Sequence, residues 1–103
     1  MSAFHDPRNT EVMRLGHLAD LAKRTDPAEC ARYNREAALL ERDVAIIATD
    51  DFERGVLWSS ACAYAYHARD RALLTAIAKE CASLPMPDKF RDDINELLRC
   101  LPE

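Results

Sequence analysis

The chain has almost no glycine, only Gly16 and Gly55 in 103 residues. That excludes a glycine-rich phosphate cradle or a dinucleotide fingerprint, each of which needs several glycines within one turn. Long hydrophobic runs are missing too, and no window approaches the roughly eighteen apolar residues of a membrane span. Basic residues do not cluster. The longest run is the pair Lys23-Arg24, in a chain of net charge -4 and pI about 5.3. Proteins that hold nucleic-acid phosphates carry a basic stripe, so no direct nucleic-acid partner is expected. Arg32, Arg35 and Arg42 read as a solvated helix face. Cys30, Cys62, Cys81 and Cys100 stand far apart, with no C-x-x-C and no histidine at zinc spacing. Neither a metal nor a cofactor is expected, and each cysteine falls in an apolar stretch where it reads as a small buried hydrophobe. Met1 to Pro7 has no apolar core region, so the expected residence is cytoplasmic.

What is present favours helices. Apolar residues make up 49% and charged residues 31%, and alanine, leucine, arginine and glutamate dominate. These residues lose least on entering a helix. With no strand-like alternation, the expected fold is all-α, a single-domain antiparallel helical array of about five helices around a central hairpin. Residues 1–9 lack periodicity and read as a flexible N-terminal tail, leaving 10–103 as the helical domain. Thr10 reads as the cap of the first helix, whose apolar face is Val12, Leu15, Leu18 and Ala22. Gly16 marks a close approach to a neighbour.

Asp26-Pro27 is the clearest boundary, a capping carboxylate before a proline at the first helical position. A long helix over roughly 28–48 follows, with a seam of Cys30, Tyr33, Ala37, Leu40, Val44 and Ile47. Arg35, Glu36, Glu41, Arg42 and Asp43 take the other side. Such a seam packs a helix inside the chain or pairs it with a second copy, so a homodimer is a candidate assembly. The third helix runs from Phe52 to His67 or Ala68 and buries Leu57 or Trp58, Ala61, Tyr64, Ala65 and Ala68. Asp70 caps a fourth helix with face Leu73, Leu74, Ile77, Ala78 and Cys81. Pro85 and Pro87 end it. Asp88 caps the last, with stripe Phe90, Ile94, Leu97, Leu98 and Leu101.

No arrangement of catalytic residues emerges, and the protein is not expected to be an enzyme. His5, His17 and His67 are isolated in sequence. Asp50-Asp51 and Asp92-Asp93 are neighbours on a helix and point apart, so neither is a dyad. Ser59 and Ser60 lack the glycines of a nucleophile elbow. The aromatic group on the third helix, Trp58, Tyr64 and Tyr66, supplies the candidate interface, because tryptophan and tyrosine anchor protein contacts. Core burial is the competing role, and the stronger one for Trp58.

From Tyr33 to Cys81 the residue order resembles the ANR family, small negative regulators of virulence gene expression in Gram-negative bacteria. The residues are Tyr33, Ala37-Ala38, Glu41-Arg42, Phe52, Trp58, Ala61, Ala65 and Cys81. The stretch between Arg42 and Phe52 is longer than the family pattern, and Leu73 stands where a second tryptophan is expected. The resemblance implies a non-catalytic protein that binds an AraC-type transcriptional activator and restrains its dimerisation or DNA binding. It also implies a mainly scaffolding role for Phe52, Trp58, Ala61, Ala65 and Cys81. The alternative function is a small helical chaperone or neutralising protein holding a secreted or toxic partner.

Overall fold

Two Asp-Pro steps open the first two helices. At the second step Asp26 accepts from the Glu29 N–H at 3.2 Å, and α2 runs Pro27–Ile46. Proline suits the first position because that N–H has no helical acceptor. The step at Asp6-Pro7 does the same for α1, Arg8–Ala22, whose first N–H donates to the Asp6 carboxylate at 2.8 Å. Thr10 therefore lies inside α1 and not at its cap, because the Asp6 carboxylate reaches the chain two residues earlier. The computed structural model describes residues 2–101; Met1 of the expected tail and Pro102 and Glu103 of the expected domain lie outside the described residues.

Asp50 accepts from the Glu53 N–H at 3.0 Å and starts α3, Asp51–His67. The exit of α3 is a Schellman turn. Arg69 takes φ 55°, its N–H reaches the Tyr66 carbonyl, and the Asp70 N–H reaches the Ala65 carbonyl at 3.2 Å. Asp70 then accepts from Leu73 N–H at 3.0 Å and opens α4, Arg71–Cys81. The last helix, α5, spans Asp88–Cys100 with Pro87 at its cap position. Asp88 occupies the first helical position and not the cap, where its charge still complements the positive end of the helix dipole.

Short connections fold consecutive helices back on one another, with α2 between α1 and α3. The seam expected on α2 is thus divided between two faces, and its last member, Ile47, is 50% exposed. Ala37, with half-buried Tyr33 and Leu40, meets Val12 and Leu15 of α1. A second face of Ala38, Val44 and Ala45 joins the main core, whose largest fully buried side chains include Leu74, Ile77 and Cys62. A helix with two neighbours buries two stripes. The second stripe includes Asn34 and Glu41, both 7% exposed. Hydrophobic periodicity overlooks a polar residue in such a place, which is why Glu41 was expected at the solvent side.

Both Leu57 and Trp58 are buried on α3, because the helix packs against α2 on one side and against α4 and α5 on the other. Helix α5 runs alongside α3. Phe90 meets Phe52 at a ring separation of 5.6 Å near one end, while Leu101 lines a hollow with Tyr66 and His67 at the other. Contact between α4 and α5 is slight by comparison, so a groove stays open between them.

Residues 2–9 differ from the expected free tail. Ala3–His5 form one 3-10 turn, Ala3 is buried, and its N–H donates to Glu53 Oε1 at 2.7 Å. The Ser2 hydroxyl donates to the other oxygen of the same carboxylate, and Asn9 Nδ2 donates to the Ala3 carbonyl at 2.9 Å. The buried Glu53 carboxylate needs donors and finds them fifty residues away in sequence. No local pattern announces that contact.

Candidate functional site

The three aromatics expected to mark an interface separate by depth. Trp58 is 2% exposed, and its Nε1 has no hydrogen-bond acceptor among the described residues. It is a core residue. The reason is its register, which puts it on the same side of α3 as buried Ala61, Cys62 and Ala65. Tyr64 is half-buried over α1, and its hydroxyl would lie 3.0 Å from a Cβ at Gly16. The close approach expected at Gly16 is thus to Tyr64. Tyr66 is half-buried beside the His67 ring, at 5.5 Å between centroids.

Beneath Tyr64 lies a polar contact between α2 and α3. Ser60 Oγ donates to Glu41 Oε2 at 2.8 Å, while Glu41 Oε1 is buried with no donor among the described residues. Burial raises the Glu41 pKa from the ordinary value 4.5, and the Ser60 hydrogen bond opposes it. Tyr64 is raised as well, first by burial and then by the charges of Glu41 and Asp20. A carboxyl whose folded pKa is raised adds stability at pH below 4.5, and that contribution is lost as pH rises through the folded value. Glu41→Gln keeps an acceptor for Ser60 and removes the buried charge. We expect it to be more stable than the parent by about 1 kcal/mol at neutral pH. Thermal melts across pH should show that gap closing on acidification; a gap independent of pH would mean that the charge is not its cause.

The fold also gathers residues that looked unrelated in sequence. A cleft of about 510 Å³ between α1, α2 and α3 is lined by His17, Asp20, Lys23, Cys30, Tyr64 and His67 among others. Sequence spacing missed this grouping because its members come from three helices, and only the chain reversals bring them together. No three His, Cys, Asp or Glu side chains converge to hold a metal ion among the described residues.

The four cysteines are free. Cys62 and Cys81 are buried as expected, but Cys30 is only half-buried, and Cys100 is exposed because it lies outside the α5 stripe that faces the core. The neighbouring Cys81 thiol and burial together raise the Cys62 pKa above the thiol range. A thiol held protonated in the core is a poor nucleophile.

The expected solvated arginine face is internally neutralised. Arg32 pairs with Glu29 at 2.7 Å and Glu36 at 3.0 Å, Arg35 with Asp70 at 3.0 Å, and Arg42 with Asp43 and Glu80 at 3.5 Å each. The Leu73 N–H and the Arg35 guanidinium together hold the Asp70 carboxyl below its usual range.

Of the exposed large apolar side chains, Met13 and Leu21 lie on α1 and Leu39 within α2, while four others group about the connection from α2 to α3. Ile46 and Ile47 end α2, Phe52 begins α3, and Phe4 follows the Ala3 that is tied to Glu53. Their exposures are 59%, 50%, 56% and 43% respectively. No protein-family model, curated protein or solved structure matches the chain. Ala37, Ala38, Trp58, Ala61, Ala65 and Cys81 are buried. Phe52 is 56% exposed, with its ring edge-on to Phe90.

Proposed function

We propose that this protein is a non-catalytic binder of another protein and that the end bearing Phe4, Ile46, Ile47 and Phe52 is its docking surface. The observation that carries the reading is the exposure of four large apolar side chains at one end of a 103-residue acidic domain. Exposed apolar residues are ordinary when scattered, but grouped they mark contact sites. Phenylalanine and isoleucine there contribute to binding by leaving water on association. The partner implied by the ANR resemblance is an AraC-type transcriptional activator, which this protein would restrain by occupying a surface needed for dimerisation or DNA binding.

The test is purification of a tagged copy from its host, beside a variant carrying Ile46→Ser and Ile47→Ser. Both sites are exposed, so the pair should change stability by under about 1 kcal/mol. We expect an AraC-type activator to co-elute near stoichiometry with the parent and at least tenfold less with the variant. A secreted or toxic protein in its place would make the chain a chaperone or neutralising protein. Equal recovery by both forms would remove this end of the molecule from the reading.

A further inference from the structure

The groove between α4 and α5 has a charge unlike that of the chain as a whole. Its volume is about 430 Å³, and Ala78, Cys81, Ile94 and Leu98 contribute apolar surface to it. Lys79 and Arg91 stand at its edges, and no carboxylate is among the residues that line it. Arg91 donates to the Ala82 and Leu84 carbonyls at 2.8 and 2.6 Å, which holds the guanidinium in place without neutralising it. Neither Lys79 nor Arg91 has a carboxylate within ion-pair distance among the described residues. Arg14, Arg32, Arg35, Arg42, Arg54 and Arg99, by contrast, each pair with an acid. The groove exists because small side chains on α4 leave space and because α5 packs on α3 in preference to α4.

We propose that this groove takes an acidic amphipathic helix from a partner protein. Two adjacent helices with an apolar floor form the seat that a third helix covers, its anchors spaced by three and four residues. The unpaired cations select carboxylates along its flanks. The inference rests on the protein-binding reading but uses a different face from the apolar end.

The experiment selects sixteen-residue peptides from a random display library against the full chain and measures the enriched sequences by fluorescence anisotropy. We expect leucine, isoleucine or phenylalanine at helical spacing with flanking aspartate or glutamate, and affinity that falls as salt rises. Lys79→Glu, at an exposed site, should weaken binding at least tenfold, and Ala78→Trp, which fills the floor, should abolish it. The pair Ile46→Ser and Ile47→Ser should leave it unchanged. Peptides without excess negative charge, binding indifferent to both groove variants, or no enriched peptide would each overturn the proposal. Peptide binding lost only in the Ile46 and Ile47 variant would overturn it while supporting the docking end. Intact peptide binding beside failed partner capture by the apolar end would sink the functional reading of that end and leave the groove standing.

Discussion

Trp58→Ala costs about 3–5 kcal/mol of folding stability, because it empties the space of the largest side chain in the core. Trp58 is 2% exposed and packs among Ala61, Cys62 and Ala65, residues too small to close over a cavity. Domains of this size are stable by only about 5–15 kcal/mol in all, so the loss is a large share of the total. Trp58→Phe should lose much less. It keeps most of the apolar volume, and the Nε1 that it removes has no acceptor among the described residues. Urea titration followed by far-ultraviolet circular dichroism measures both, since the variants lack the only tryptophan. A Trp58→Ala protein that unfolds at the parent's midpoint yet loses its partner would show that Trp58 is an interface anchor after all.

Gly55→Ala also destabilises, against the usual direction of that change in a helix. Alanine inside a helix is ordinarily better than glycine by about 0.5–1 kcal/mol. Here a Cβ would stand 2.2 Å from Phe90 Cδ2 and 2.7 Å from its Cγ. These atoms belong to the base of the ring, so α5 itself must move to relieve the overlap. Overpacking of this kind costs about 1–3 kcal/mol, which outweighs the helical gain. The decisive comparison is the double-mutant cycle. In a Phe90→Ala background the overlap is gone, and Gly55→Ala should become neutral or stabilising, with coupling of about 1–3 kcal/mol. Additive effects of the two changes would show that Phe90 does not rest on Gly55. Gly16→Ala makes a useful contrast. Its closest contact is the hydroxyl end of Tyr64, at 3.0 Å, and a half-buried side-chain tip shifts more readily than a buried ring.

The two glycines illustrate what a linear pattern conveys. A lone glycine in a helical stretch indicates a close approach, but the partner is settled by which helices lie side by side. Aspartates at the starts of helices were easier to read, because Asp26 and Asp70 act within three residues of themselves. Asp6 belongs to the same class, and the Asp-Pro step that it shares with Asp26 is the signal that would have placed the start of α1. Glu41 and Glu53 had no such signal. A buried carboxylate looks like any surface acid until the donor that reaches it, Ser60 or the Ala3 N–H, has been brought across the fold.

By itself, then, the sequence determined the helical class, the breaks between helices and most core positions. Those depend on capping, proline and three-to-four residue spacing, all of which act along one stretch of chain. Tertiary structure decided that α2 buries two stripes and that residues 2–9 dock on Glu53. It also decided that Trp58 lies inside while Phe52 stays outside, and that α5 leaves a cationic groove along α4. These outcomes depend on which helices become neighbours, and an amphipathic pattern says which face is buried without saying against what.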